Sequence, residues 1–238
     1  MEEVKVGTPG AMSPGYRVLG LVAALALGAA LDAQVATKSN ESYQSPQGRE
    51  ALAAALGSPD RDRTQKPGVL IREMGLQPGM TVADVGTGIG YMLPYLSKRV
   101  GPEGHVIAED IFDNFLSAAK QLAQTQDLTN VSFVKGTDAD PNLPEGQVDM
   151  VLALDVYHHF DFPARMLAAI HKALKPGGKL VVVEYYKRAS AMPDGRALTH
   201  IRLDMPDAIK EIEANHFHLL EEKEHVRDVQ YMLILDKN

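Results

Sequence analysis

The feature that most constrains the fold is a short apolar run that leads into three glycines at alternate positions. Residues 81–85 read Thr-Val-Ala-Asp-Val, and residues 86–90 read Gly-Thr-Gly-Ile-Gly. Glycine permits a tight turn and lets a ligand approach the backbone where a Cβ would stand in the way. A helix that follows such a turn presents free N–H groups at its start. The pattern predicts a strand, a ligand-binding turn and a helix, in that order.

The spacing of these glycines excludes two phosphate-binding loops. The dinucleotide fingerprint G-x-G-x-x-G needs a glycine at position 91, where this chain has Tyr91. A P-loop needs Gly-Lys-Ser or Gly-Lys-Thr after the turn, and neither follows here. Asp84, near the end of the strand, adds a carboxylate that would repel a pyrophosphate and attract an ammonium or sulfonium group. The expected ligand therefore carries positive charge.

From residue 80 onward, apolar runs alternate with segments typical of helices. We expect strands at residues 81–85, 105–108, 131–134, 148–154, 180–183, 219–225 and 230–235, and helices at residues 91–100, 114–126, 164–174 and 206–215. This alternation favours βαβ units and a parallel sheet that is covered on both faces. The last two strands have no helix between them, so they must pair antiparallel.

Composition limits the class of partner. The 238 residues carry a net charge of −7, and 45% of them are hydrophobic, which fits one domain with an appendage. A nucleic-acid binder usually has a basic stripe, and this sequence has none, so no nucleic-acid partner is expected. The chain has no cysteine, which excludes disulfides, thiolate nucleophiles and cysteine-type zinc sites.

The N-terminal part has a composition of its own. Residues 18–31 are uncharged and mostly apolar, shorter than the roughly 20 residues that span a bilayer and typical of a secretory signal peptide. Two acids near Met1 weaken that interpretation, whereas a start at Met12 would remove them. We expect residues 1–33 to be a signal peptide or an N-terminal anchor, so that the protein is exported or tethered with membrane contact only through this segment. If it is an ordinary helix, the protein is cytoplasmic.

Residues 34–61 join this segment to the alternating part of the chain. Residues 37–48 are polar and contain Ser, Asn, Gly and Pro, which indicates a linker. Residues 49–56 are rich in Ala and Leu and predict a short helix. We expect a linker with a short helix over residues 34–61 and the main domain over residues 62–238.

The motifs together resemble those of the class I S-adenosylmethionine-dependent methyltransferases. The matching sequences are VADVGTGIGY, HVIAEDI, GTDAD, VDMVLALDVYHHF and ALKPGGKLVVVE. The resemblance covers roughly residues 62–238. It implies an α/β fold with a Rossmann-like, doubly wound sheet of seven strands in the order 3-2-1-4-5-7-6, the last strand antiparallel. It also implies S-adenosylmethionine as the cofactor and methyl transfer as the activity.

The same resemblance assigns the cofactor-binding residues, which are Asp84, Gly86, Thr87, Gly88, Gly90, Asp110, Asp138, Ala139 and Asp155. Asp84 is expected to contact the methionine amine, directly or through water. Asp110 is expected to bind the ribose hydroxyls, with Glu109 as a solvated neighbour, and Asp138 with Ala139 to flank the adenine. Each has a structural alternative, since glycines and acids at such positions also make turns and caps.

His158 and His159 follow the fourth strand and are the candidate catalytic residues. Histidine titrates near neutral pH, so either could take a proton from the substrate as a general base. Both could equally be structural. Asp155 and Glu184 each end a strand, but the fuller acid set of metal-dependent relatives is missing, so no metal site is expected.

The methyl acceptor is expected to be a small molecule, by elimination. Residues 189–199 form a long connection that is expected to act as a lid. Lys187, Arg188 and Arg202 beside it could receive an anionic substrate or could belong to a solvated loop. Two other functions stay open: a non-catalytic Rossmann-like binding module and an NAD-type oxidoreductase.

Overall fold

The computed structural model describes Met1 and residues 34–237. Apart from Met1, the segment interpreted as a signal peptide or anchor lies outside the described residues, so that interpretation stays a prediction. In the described part of the chain, every helix is too short or too polar to span a bilayer.

Seven strands form one sheet in the order β3-β2-β1-β4-β5-β7-β6. They are β1 (Thr81–Val85), β2 (His105–Asp110), β3 (Val131–Lys135), β4 (Val148–Leu154), β5 (Leu174–Tyr185), β6 (Phe217–Val226) and β7 (Gln230–Lys237). The neighbouring strands β3, β2, β1, β4 and β5 pair parallel, and β7 is antiparallel to both β5 and β6. The predicted fold class, strand order and antiparallel last strand are confirmed.

Helices connect and cover the strands. Within residues 34–237 they are α1 (Pro46–Leu56), α2 (Arg61–Gln65), α3 (Pro67–Glu73), α4 (Leu93–Val100), α5 (Asp113–Thr125), α6 (Pro163–Ala173), α7 (Ala197–His200) and α8 (Met205–Glu213). Single 3-10 turns lie at Glu41–Gln44, Tyr157–His159 and Pro193–Gly195.

The sheet is buried because each face carries its own apolar core. Successive side chains of a strand point to opposite faces, so Val181 and Val183 lie in one core and Val182 in the other. Strands that helices cover on both faces are mostly apolar, and β4 is apolar except for the half-buried Asp149. This arrangement leaves the carboxyl ends of β1, β2 and β4 together at one edge, where open α/β sheets bind ligands.

The segment predicted as a linker, residues 37–48, lies against the domain. Ser39 is buried, and its Oγ donates to the carbonyl oxygen of His200 at 2.5 Å. The side-chain amide of Asn40 donates to the carbonyl oxygen of His159 at 3.0 Å. Its polar composition is typical of a linker, but these polar groups bond to backbone more than 100 residues away, which composition does not reveal.

The connection predicted as a lid, residues 189–199, packs into a small apolar cluster of its own. Ala191, Met192, Ala197 and Ile201 are buried there against Tyr185 and Tyr186. Arg202 beside it is paired with Glu211 on α8 at 2.5 Å, and Lys187 donates to the carbonyl oxygen of Arg202. The connection is therefore an ordered part of the domain.

Candidate active site

A cavity with an enclosed volume of about 160 Å³ lies at the carboxyl ends of β1, β2 and β4. The strand ends contribute the glycine turn and several carboxylates. The N-terminal segment contributes a second wall, made of Asn40, Tyr43, Gln44, Leu56 and Arg61. Among the described residues, none of 189–199 lines the cavity, so the covering wall comes from the N-terminal side.

Two glycines of the turn are required by its geometry and line the cavity. Gly86 has φ 70° and Gly88 has φ 56°, in the left-handed region that favours glycine. A Cβ on Gly86 would lie 2.4 Å from Cγ2 of Val156. Gly90 differs, because it does not line the cavity and a Cβ there would lie 3.1 Å from Ala119 on α5. Gly90 therefore allows close packing of the turn against a helix.

Asp110 lies at the end of β2 and lines the cavity. Its Oδ2 accepts from the backbone N–H of Gly88 at 2.9 Å, and its Oδ1 accepts from the N–H of Phe112 at 2.9 Å. Burial raises its pKa to about 6, although these backbone donors act in the opposite direction. The carboxylate thus ties the glycine turn to β2 and keeps further lone pairs for a ligand.

The expectation that Glu109 is a solvated neighbour is wrong. Glu109 is only 2% exposed and also lines the cavity. Its Oε2 accepts from the N–H of Gly86 at 3.1 Å, whereas Oε1 is buried without a hydrogen-bond partner in the described structure. Burial, and next the charge of Asp110, raise its pKa well above the usual range. An adjacent pair of acids does not reveal which one the fold buries.

Asp84 lies behind the turn, outside the residues that line the cavity. It is buried, and its Oδ2 accepts from the hydroxyl of Thr87 at 2.7 Å. Burial raises its pKa to about 6. Thr87 does line the cavity, so the predicted influence of Asp84 on a ligand would pass through this hydroxyl or act through its charge.

Of the two predicted adenine-binding residues, only one lines the cavity. Asp138 is exposed and lines the cavity, whereas Ala139 is buried and does not. The hydroxyl of Thr137 accepts from the N–H groups of Ala139 and Asp140, which holds this turn. Thr137 itself lines the cavity beside Asp138.

Asp155 follows β4 in a left-handed conformation with φ 55° and lines the cavity. Its Oδ1 accepts from the side-chain amide of Gln230 on β7 at 2.6 Å, and Gln230 in turn bonds to Gln65 on α2. Burial, and next the charge of Glu184, raise the pKa of Asp155 to about 7. Two distant elements, β7 and α2, therefore hold this carboxylate through one chain of hydrogen bonds.

The two candidate catalytic histidines have different surroundings. His158 is buried outside the cavity lining, and its Nδ1 lies 2.6 Å from Oε2 of Glu184. His159 lines the cavity, and its Nδ1 lies 2.7 Å from Oδ1 of Asn40. Burial lowers the pKa of His159 well below the usual range. His159 faces the cavity and His158 does not, so position favours His159 for proton transfer, whereas its lowered pKa makes it a weaker base.

Tyr43 and Arg61 are site residues that the sequence analysis missed. The ring of Tyr43 stacks on Phe112 with centroids 5.7 Å apart and meets the ring of His159 edge-on at 4.8 Å. The Arg61 guanidinium lies over the ring of Tyr91 at 4.0 Å and also lines the cavity. An aromatic residue within a polar segment was the signal for Tyr43.

Comparisons with known proteins agree with this fold and site. Residues 83–182 match the family described as "Methyltransferase domain". A ubiquinone/menaquinone biosynthesis C-methyltransferase, UbiE, of Marinomonas sp. is 30% identical over 123 residues, which are 51% of this chain and 49% of that protein. An uncharacterized 37.1 kDa protein in transposon TN4556 of Streptomyces fradiae is 32% identical over 152 residues, 64% of this chain and 40% of that protein. The chain thus spans about half, or less, of the length of these curated relatives.

A solved structure extends the likeness to the whole domain. A SAM-dependent methyltransferase from Aquifex aeolicus superposes with a TM-score of 0.71 at 26% identity, over 78% of this chain and 96% of that one. The seven-stranded sheet in this order, the glycine turn after β1 and the acid that ends β2 are the features expected of the class I S-adenosylmethionine-dependent methyltransferases. Residues 83–182 match the methyltransferase domain, and the fold is that of a SAM-dependent methyltransferase. The family and the cofactor predicted from the sequence are confirmed.

Proposed function

We propose that this protein transfers a methyl group from S-adenosylmethionine to a small-molecule acceptor. The observation that carries the proposal is a single cavity in which the glycine turn, the β2 carboxylates and an aromatic wall meet. The glycine turn and the β2 carboxylates suit the cofactor, and the aromatic wall suits an apolar acceptor beside it.

The residues present fit the charges of this cofactor. S-adenosylmethionine carries an ammonium group, a sulfonium group, a carboxylate and two ribose hydroxyls. Glu109 and Asp110 offer carboxylate oxygens as acceptors, and Oε1 of Glu109 is buried without a partner in the described structure. Arg61 is a cation in the cavity wall that suits the cofactor's carboxylate. The absence of a Cβ at Gly86 and Gly88 leaves room for close approach.

The protein contributes to the reaction by placing the acceptor next to the methyl group and by excluding water. When bound, the cofactor supplies a methyl group that its sulfonium already activates. The wall of Tyr43, Phe112 and Phe160 would shield the reacting groups and hold the acceptor in line. Proximity and orientation can contribute roughly 7–11 kcal/mol to such a step. His159 would take a proton from an acceptor hydroxyl at its Nε2, because its Nδ1 bonds to Asn40.

An aromatic ring is the acceptor class that this wall favours. The apolar residues that line the cavity include Tyr43, Phe112, Phe115, Leu154, Val156, Phe160 and Met166. Offset and edge-on ring contacts add about 0.5–1.5 kcal/mol each beyond burial. Curated relatives are named for C-methylation in ubiquinone and menaquinone biosynthesis, which supports a quinol-like ring as the first acceptor to assay.

Calorimetric titration of the purified chain with S-adenosylmethionine tests the cofactor site. We expect Asp110→Asn to weaken binding at least about tenfold, because a hydrogen bond to a charged acceptor is worth about 1.5–3 kcal/mol. Asp113→Asn is the matched control, since Asp113 starts α5 with an exposed carboxylate three residues away. Equal affinities for both variants and the wild type would refute the assignment.

Transfer of a labelled methyl group to a panel of hydroxylated aromatic compounds then tests the activity. Label in an extractable product supports the proposal. Binding of the cofactor without transfer to any acceptor would favour the non-catalytic binding module, and binding of NAD in place of S-adenosylmethionine would favour the oxidoreductase.

A further inference from the structure

The structure brings three histidines together beside the cavity. His158 and His159 follow β4, and His200 ends α7, about 40 residues further along the chain. One ring nitrogen of each lies within 4.8 Å of one ring nitrogen of each of the others. We propose that these three imidazoles form a binding site for a divalent transition-metal cation, for which Zn²⁺ is the probe.

The distance between two of these nitrogens suits a shared cation. Nε2 of His158 lies 3.2 Å from Nε2 of His200, so the N–H of His200 donates to the lone pair of His158 in the metal-free chain. A bound cation would replace this proton, which His200 would release or carry on Nδ1. If each nitrogen were about 2.0–2.1 Å from a zinc ion, the two would subtend about 100° at the metal, close to a tetrahedral angle. With these bond lengths, the ligand nitrogens of a tetrahedral site lie about 3.4 Å apart. Because the nitrogens of the cluster are at most 4.8 Å apart, the ring of His159 would move towards the other two by up to roughly 1.4 Å.

The other nitrogen of two rings is already held by an acceptor. Oε2 of the buried Glu184 lies 2.6 Å from Nδ1 of His158 and also accepts from the His158 backbone N–H. Nδ1–H of His158 therefore donates to this carboxylate, and Nε2 keeps its lone pair. Metal-binding histidines usually donate their second ring N–H to a carboxylate or a carbonyl in this way.

Asn40 orients His159 by the same logic. Its amide nitrogen donates to the His159 carbonyl oxygen at 3.0 Å, so its amide oxygen is the atom that lies 2.7 Å from Nδ1. Nδ1–H of His159 is therefore the donor, and Nε2 keeps its lone pair. Two rings on adjacent residues thus have their tautomers fixed by two independent partners.

The charges on the His158 side of the cluster favour a cation. Glu184 is 1% exposed and lies directly behind His158. Asp155 interacts electrostatically with both Glu184 and His158. The positive charge of the exposed Arg196 acts against a cation at His159 and His200, and at His200 its effect exceeds that of Glu184. Solvent screens this exposed charge more than the buried carboxylates.

Imidazole ligands select the class of metal. Three nitrogen ligands suit zinc, iron, copper or nickel, whereas calcium and magnesium prefer oxygen. A site with three histidines leaves the fourth tetrahedral position open, as catalytic zinc sites do. His159 also lines the cavity, so a cation held here would border the space assigned to the acceptor. While the cation is bound, Nε2 of His159 ligates it, so the proton-accepting role given to this nitrogen under the proposed function belongs to the metal-free chain.

Titration of the metal-depleted full chain with Zn²⁺, after removal of any histidine tag, tests this site. We expect one Zn²⁺ per chain, with affinity at least about 100-fold lower in His200→Ala and in His159→Ala. Glu184→Gln should lower it about 10- to 100-fold through the orientation of His158. The matched control is His218→Ala, which removes an exposed imidazole on β6 and should leave affinity unchanged.

Cobalt substitution adds a readout that folding alone would not change. Co²⁺ bound by three imidazoles in a near-tetrahedral site gives visible absorption, which His200→Ala should abolish while the circular dichroism stays that of the wild type. Zinc binding that is absent, or equally strong in the wild type and in His159→Ala/His200→Ala, would refute the proposal. Cofactor affinity is measured in the same metal-free samples, so failure of the metal site is distinguishable from failure of the proposed function.

Discussion

Two buried carboxylates at the site lower the free energy of unfolding when they are ionised. Asp84 and Asp110 are 3% and 6% exposed, and burial raises the pKa of each from 3.8 to about 6. Because the folded-state pKa is above the unfolded value, ionisation in the folded chain lowers the free energy of unfolding. That loss is absent below about pH 4, grows between about pH 4 and 6, and is constant above. The fold keeps these acids at the expense of stability, as binding sites often do.

We expect affinity for S-adenosylmethionine to fall below about pH 6. Protonation removes the charge of Asp84 and acceptor capacity of Asp110, so Kd should rise by up to about tenfold per pH unit for each carboxylate that must be ionised. Calorimetry between pH 5 and 8 measures this, and buffers of different ionisation enthalpy report the protons released. A Kd that is constant over this range would contradict the role of both acids.

At the scale of elements, the N-terminal segment acts as a wall of the cavity. The N–H of Val35 donates to the carbonyl oxygen of Asp161 at 3.0 Å, and Ser39 and Asn40 bond to the backbone of His200 and His159. The segment therefore joins the loop after β4 to the end of α7. Its closure depends on a few hydrogen bonds, each worth about 0.5–1.5 kcal/mol.

Asn40→Ala should loosen this wall. Loss of two hydrogen bonds to His159 should raise the open population of residues 34–45 by roughly tenfold, since about 1.4 kcal/mol corresponds to that factor. Hydrogen exchange followed by mass spectrometry should show faster exchange in these residues, with weaker cofactor binding. Lys38→Ala, an exposed neighbour in the same segment, should exchange like the wild type. Unchanged exchange in Asn40→Ala would show that other contacts hold the wall.

For the whole molecule, binding of the cofactor should raise the thermal midpoint. At a concentration 100 times Kd, a ligand that binds only the folded state adds about 2.7 kcal/mol. That corresponds to a rise in Tm of about 5–11 °C for a domain of roughly 200 residues. Differential scanning fluorimetry with S-adenosylmethionine, with NAD as the control ligand, measures it. A rise with NAD alone would contradict the cofactor assignment.

The fold was accessible from sequence because its signals are local. Val148–Leu154 is apolar except for Asp149, and the glycine turn follows β1 directly, so strand positions and sheet order could be predicted. Element ends differ by a few residues, and β5 begins at Leu174 because the chain pairs with Val148 before the Pro-Gly-Gly turn. The short helix α2 was missed, since five polar residues carry no apolar periodicity.

The site was accessible only in part, because much of it depends on contacts that are distant in sequence. The carboxylate of Asp110 follows from its place at the end of β2. The burial of Glu109, the wall around Tyr43 and the meeting of His200 with His158 depend on how loops pack. A polar composition is typical both of solvent-exposed loops and of segments that bond to the domain. Composition therefore could not show which kind a given polar segment is.

Asp161 connects residues 34 and 35 to the cavity through hydrogen bonds. Gln34 donates through its amide to Oδ2 of Asp161 at 3.1 Å, and Val35 binds the carbonyl oxygen of the same residue. Asp161 also lines the cavity. The first two residues of the segment are therefore bonded directly to a residue of the cavity. Force on the chain at this point, or proteolysis just after it, is expected to change the shape of the cavity.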